Sequence, residues 1–358
     1  MSFKRVLSIL LLLWSGVALM SPAGAEEASP LLFATQQLSR LQRDRGFGII
    51  ETYFTHHIQF FVLQPKTGER QRMAEITFNE CRVGLCQFLG FEWLPERNQV
   101  VYYAQVEGGF GLYLLDLREG AASKKIVDGG LIGLSVSPDE RWLVYSQSTQ
   151  PGVLSIPSRL YMIALDGEKT PRVLLPELDA WQVALDVDPQ GEYITFNSAA
   201  YDPNKPFESP MTTYHLNLAN LSLIEVQSSS QVDSAVWSPD GHQIVYCERR
   251  QLFIADRSGQ TRKQLTPSTI PCLGLAWLPQ GDRLLYSDGR NLFTVTVADG
   301  VIQKVFGSGT PVSQVSISPD GQHLAFIRNN WLEVLPLDGS GKVRRLTGED
   351  EYVVGIAW

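Results

Sequence analysis

One turn recurs through this chain and limits what it can become. Its clearest copy is Ser238-Pro239-Asp240-Gly241, set between an apolar strand ending at Trp237 and a second running through Ile244, Val245 and Tyr246. Related copies are Leu94-Pro95-Glu96, Ser137-Pro138-Asp139-Glu140, Asp188-Pro189-Gln190-Gly191, Leu278-Pro279-Gln280-Gly281 and Ser318-Pro319-Asp320-Gly321. Their prolines lie 43, 51, 50, 40 and 40 residues apart. Proline presets φ for the second position of a type I turn, Asp suits the next, and Gly closes the turn without steric cost. Proline also cannot donate to a sheet ladder, so it helps to end the first strand. Each Asp stands alone in its turn, whereas a calcium loop needs several oxygen ligands close together, so the motif reads as a turn and not a metal site.

A period of 40 to 50 residues is that of a four-stranded propeller blade. After each turn comes a β-branched and aromatic second strand, such as Val100 to Tyr103 or Leu324 to Phe326. Third strands follow at 112–117, 160–165, 213–218, 252–256, 292–297 and 331–337. These short runs bounded by Gly, Asp and Ser have strand character. Six complete units leave both chain ends over. The C-terminal Val353-Val354-Gly355-Ile356-Ala357-Trp358 matches a first strand and stops where its turn would begin. Residues 48–55, 59–63 and 73–78 read as second, third and fourth strands. The expectation is an all-β, seven-bladed β-propeller over 47–358, with one blade shared between 47–80 and 352–358. The alternative is six blades with an N-terminal extension. Residues 26–46 fall outside this scheme: Ser29-Pro30 can start a helix, and Leu31, Leu38 and Leu41 recur at helical spacing, so this stretch reads as a short helix or an arm.

The first 25 residues read as a cleavable signal peptide. Lys4 and Arg5 precede an uncharged run from Val6 to Met20, and Ala23-Gly24-Ala25 gives an A-x-A site with cleavage after Ala25. That run of 15 residues falls short of the roughly 20 needed to span a bilayer. The expected location is therefore periplasmic or secreted, with no stable membrane insertion after cleavage. Removing Lys4 and Arg5 leaves 28 basic residues against 38 acidic, a net charge of −10. No long basic run exists, which argues against nucleic acid as a partner. Four Cys in an exported chain point to disulfides. Cys81 and Cys86 can close a small loop, and Cys247 and Cys272 form the other candidate pair, with Cys247 as a small buried hydrophobe the plainer alternative.

The repeats resemble those of the TolB-like periplasmic propellers, a WD40-like repeat family. The resemblance rests on the Ser-Pro-Asp-Gly units, on Trp237 before one of them, and on Asp256 and Asp338 ending third strands. Gln264-Leu265-Thr266 and Arg345-Leu346-Thr347 resemble the fourth-strand endings of that family. The likeness covers roughly residues 90–358, and it implies a propeller that binds a protein partner in the cell envelope. The chain departs from the family in having no room for a separate N-terminal α/β domain and in reading as seven blades where TolB has six.

No catalytic set stands out. There is no G-x-S-x-G elbow, and no hydrolase domain follows the repeats. His56 and His57 are adjacent on a strand and would point to opposite faces. His242 and His323 follow turns. No catalytic residue, metal site or cofactor is assigned. The informative loops are the two long connections between second and third strands, at 146–159 and 199–211, which share an end of their blades with the Cys81–Cys86 loop. Loops held by a rigid scaffold carry function, so Arg159, Trp181, Tyr201, Asp202 and Lys205 are the binding candidates. The leading reading is a monomeric, non-enzymatic scaffold that binds an envelope protein or peptide. The alternatives are a lyase, cyclase or hydrolase acting on a saccharide or peptide at the central channel, and a small-sugar receptor.

Overall fold

The computed structural model describes residues 29–44, 50–65, 67–82, 86–106, 109–148, 158–167, 170–177, 180–200, 211–229, 232–266, 273–307, 309–339 and 341–358. The signal-peptide residues and Tyr201, Asp202, Lys205 and Cys272 lie outside them. Among the described residues there is no α-helix, only one 3-10 turn at Pro95–Arg97. Everything else regular is strand, arranged as seven four-stranded antiparallel blades of a β-propeller.

Blade 1 contains β1 (Leu31–Asp44), β2 (Ile50–Leu63), β3 (Arg70–Arg82) and the C-terminal strand Tyr352–Ala357, in the order C-terminal strand, β1, β2, β3. Blades 2 to 7 span residues 87–128, 131–173, 180–229, 232–264, 273–307 and 312–345. The chain forms two compact units. One holds blades 3 to 6; the other holds blades 1 and 2 and most of blade 7.

The N-terminal expectation needs correction. Residues 31–44 are neither a helix nor an arm: they are β1, the second strand of the shared blade. Residues 50–63, read as two strands, are one continuous strand that takes third place. The reason lies in burial. Leu32 and Ala34 join a cluster with Phe60, Phe91 and Tyr102 of blades 1 and 2. Leu31 and Phe33 join Ile327, Val334 and Trp358 on the other side. A strand buried on both faces reads as an unbroken apolar run, with no alternation to betray it. The supposed helical stripe is not a stripe, because Leu38 and Leu41 are 56% and 43% exposed.

The C-terminal strand is held from both sides. It pairs antiparallel with β1 from Leu32–Ala357 to Gln36–Tyr352. Towards blade 7, Val353 N donates to Asn330 O at 2.8 Å and Ile356 N to Gln314 Oε1 at 3.1 Å. Trp358 is buried, and its indole N–H donates to Ser29 O at 2.8 Å. Arg70 of β3 pairs with Glu351. At Gly355 a Cβ would stand 2.5 Å from the Phe91 ring, so only glycine lets blades 1 and 2 close on one another.

The turns behave as their composition predicts. Ser238 Oγ donates to Asp240 Oδ1 at 2.6 Å and accepts Gln243 N–H at 2.9 Å, while Asp240 Oδ1 accepts His242 N–H at 3.0 Å. Ser137 and Ser318 do the same with Asp139 and Asp320. Gly241 has φ +66°, and a Cβ there would collide with Gln190 of the neighbouring turn. Cys81 and Cys86 form a disulfide, and Cys247, in the second strand of blade 5, is disulfide-bonded too.

Deleting residues 352–358 removes Val353 and Trp358 from the core and exposes the edge of β1. Loss of a buried Trp alone costs about 3–5 kcal/mol, so the melting temperature should fall by about 10 °C or more in a single cooperative transition. Calorimetry showing the parental melting temperature in the truncated protein would refute the shared blade. Gly355→Ala should give a smaller loss, about 1–3 kcal/mol in chemical denaturation, by wedging the Phe91 ring.

Candidate functional site

The two long connections leave from the same topological position in neighbouring blades. In blade 3 the second strand is Trp142–Ser148 and the third is Ser158–Ala164. In blade 4 they are Tyr193–Ala200 and Met211–Asn217. Arg159 is the second residue of one third strand, half-buried. Trp181 is the second residue of the first strand of blade 4, Ala180–Val187.

The structure brings the backbones of these two positions together. Ser158 pairs with Trp181 in a parallel bridge, which joins blades 3 and 4 into one continuous sheet. Ser158 Oγ donates to Gln182 O at 2.7 Å and accepts Gln182 N–H at 3.1 Å. Gln182 Oε1 in turn accepts Leu160 N–H at 2.9 Å. Both side chains are fully buried. Buried polar atoms are tolerated only when bonded, and a bonded set in low dielectric is stiff. Further along, Thr213 Oγ1 donates to Asn197 Oδ1 at 2.8 Å, and both are buried beside Ser198. A fixed polar framework therefore underlies the strand ends from which the long connections depart. The sequence singles out Arg159 and Trp181 as candidates but not the buried Ser158 and Gln182 beside them, whose only signal is polarity inside an apolar strand pattern.

Three perturbed ionisable groups, Asp186, Asp188 and His215, lie at the other end of blade 4, by its Pro turn. Asp186 is 2% exposed. Its carboxylate accepts Trp237 N–H at 3.0 Å and Val187 N–H at 2.9 Å, with Ser135 beside it. Burial lifts this carboxyl to about 7 against the pull of those donors. Asp188 replaces the Ser of the turn motif. It accepts Glu192 N–H at 2.6 Å and Tyr193 N–H at 2.7 Å, and burial raises it too. Arg257 of blade 5 reaches across to Asp188 at 2.9 Å and Gln190 at 2.6 Å, and lies over the Tyr193 ring at 5.0 Å. His215 is buried 4.5 Å from the Trp237 ring, with Nδ1 2.9 Å from Thr195 Oγ1. Burial, helped by the Arg257 charge, drives it down to about 3.

Displaced ionisation often marks catalysis, but structural networks displace it as well. Here the carboxylate oxygens are spent on backbone N–H groups and on Arg257, out of reach of solvent. The cluster fastens blade to blade. Among the described residues no group of three or more His, Cys, Asp or Glu is placed to hold a metal ion. His56 Nδ1 meets Gln36 at 2.6 Å, whereas His57 Nδ1 lies 3.3 Å from Glu75 and 3.2 Å from Thr77. The adjacent imidazoles thus have separate partners.

No family model matches the chain, and no curated protein matches it. Solved structures do share its fold. Oligogalacturonate lyase from Vibrio parahaemolyticus is 13% identical, with 90% of this chain and 87% of that one covered and a TM-score of 0.58. A structure from a study of two prolyl endopeptidases is 13% identical at a TM-score of 0.60, covering 89% of this chain and 50% of that one. TolB from Acinetobacter baumannii is 14% identical, with 90% and 82% covered and a TM-score of 0.48.

The Asp186 carboxyl titrates higher folded than unfolded. Between about pH 4 and pH 7 the folded state holds a proton that the unfolded state has released, so this group's contribution to stability falls as pH rises. Asp186→Asn removes that dependence. The melting-temperature deficit of the variant should shrink between pH 5 and pH 7.5; an unchanged or growing deficit would contradict the assignment. Arg257→Ala strands a buried carboxylate at Asp188 and should cost about 3 kcal/mol in urea unfolding.

Proposed function

We propose that this chain is an exported, non-enzymatic propeller that holds a protein or peptide partner in the cell envelope, with its contact surface where the long connections leave blades 3 and 4. The observation that carries this reading is the split between the two ends of those blades. At the turn end, Asp186 and Asp188 are locked in bonds between blades, and His215 is buried against the Trp237 ring of blade 5. At the other end, a bonded polar framework around Ser158 and Gln182 holds the strand that carries Arg159, and the connections there are the longest. Rigid scaffolding beneath elaborated loops is the arrangement of a recognition surface. The Ser-Pro-Asp-Gly repeats, which resemble those of TolB-like propellers, and the signal-peptide layout support the envelope setting. Arg159, Trp181, Tyr201, Asp202 and Lys205 are the proposed contacts, and no cofactor is assigned.

A second reading has its own support. Oligogalacturonate lyase shares this fold over nine-tenths of the chain, so the same scaffold accommodates polysaccharide chemistry. A lyase, cyclase or hydrolase would need acid and base groups converging on an accessible mouth.

The test is capture in the native envelope with a photo-crosslinking residue at position 159, paired with a turnover screen of glycans and peptides. The expected result is one specific protein adduct, lost at least tenfold on Tyr201→Ala and Lys205→Glu with the melting temperature unchanged, since a few contact residues, Tyr prominent among them, carry most of the binding energy. Absence of an adduct together with turnover of a glycan or peptide would establish the enzyme reading instead.

A further inference from the structure

Blade 1 differs from a plain four-stranded blade in one respect. β1 runs for 14 residues, but the C-terminal strand pairs only with its first part, up to Gln36–Tyr352. From Gln37 to Asp44, β1 is bonded to β2 on one side, and no described strand lies on the other. Among the described residues, eight residues of strand edge, roughly 26 Å at 3.3 Å per residue, are open. Residues 37–42 are exposed without exception. Such an edge templates the addition of another strand, and proteins usually blunt it.

The side chains here oppose pairing with a like edge and specify a different guest. Leu38 is 56% exposed and Tyr352 52%. Tyr352 faces Gln36 across the pair, and alternate residues share a face, so Tyr352, Leu38 and Arg40 follow one another along one face. Leu41, 43% exposed, serves the opposite face. The segment 37–50 contains Arg40, Arg43 and Arg45 against Asp44 alone, a net +2 in a chain of net −8. Glu349, Asp350 and Glu351 precede Tyr352, so charge changes sign along the edge. A second copy of this chain is a poor guest, because antiparallel self-pairing sets arginines of the two edges close together.

We infer that the free edge of β1, Gln37–Asp44, receives an extended segment of a partner protein as an added strand. The guest is apolar at the end beside Tyr352 and acidic towards Arg40. Backbone hydrogen bonds supply affinity and the side-chain pattern supplies selectivity, as in β-augmentation generally. This deepens the proposed partner-binding function and rests on it, while adding a contact away from Arg159.

The experiment places a photo-crosslinking residue at Ser39 in one full-length protein and at Arg159 in another, both expressed in the native envelope. The Ser39 protein should capture a partner whose adduct maps to an extended acidic segment. A synthetic peptide of that segment should slow hydrogen exchange of amides 37–44 at least tenfold, and Arg40→Glu should weaken it at least tenfold without altering the melting temperature. Capture at position 159 alone would overturn the strand-addition site and leave the partner-binding reading standing. A Ser39 adduct with a second copy of this chain, or one mapping to a helical or basic segment, would also overturn it. Capture at neither position would remove both.

Discussion

The architecture depends on one short ladder, the pairing of Tyr352–Ala357 with β1. Each of the other six blades draws its strands from one stretch of chain. Blade 1 draws them from both ends, and so carries the cost of bringing distant segments together. The return on that cost is concentrated. Val353 and Trp358 enter the core, the Trp358 indole N–H donates to Ser29 O, and Gly355 admits the Phe91 ring. An unpaired inner edge would otherwise expose Leu31 and Phe33 and invite association.

Within the unit of blades 3 to 6 the fastening is of two kinds. The seam between blades 5 and 6 is apolar, built from Val245, Leu252, Trp277 and Leu284. The seam between blades 4 and 5 is partly polar, with Thr195, Asn197, Thr213 and His215 buried on one side and Trp237 and Arg257 reaching it from the other. The bonds that are made, Thr195 with His215 Nδ1 and Thr213 with Asn197, demand one geometry where an apolar seam would accept several, while among the described residues His215 Nε2 and Trp237 Nε1 are buried without a hydrogen-bond partner. The Ser158–Gln182 stitch does the same between blades 3 and 4. Together they place bonded polar groups beneath the strand ends from which the long connections leave.

Much of this was legible in the sequence. The proline spacing gave the blades, and Ser238 and Asp240 make the turn bonds their types require. Trp358 announced a displaced first strand. β1 was not legible, because Leu31 to Ala34 face apolar neighbours on both sides and carry no alternation, while Leu38 and Leu41 mimic a helical stripe by chance. Arg257 was invisible for a different reason: its partners Asp188 and Gln190 lie in another blade, and no local pattern encodes a contact of that range. For the candidate site, loop length singles out Arg159 and Trp181, but the buried Ser158 and Gln182 at the ends of their strands look like ordinary strand residues until burial is known.

Native-state hydrogen exchange across blade 1 tests the central claim most directly. If the chain ends complete one blade of a cooperative fold, the amides of Val353, Ile356 and Phe33 should exchange only through global unfolding, with the same free energy as the most protected amides of blade 2. Exchange of these amides by local opening, several kcal/mol below that limit, would mean that the C-terminal strand is an appendage and that the ladder does not hold the fold together.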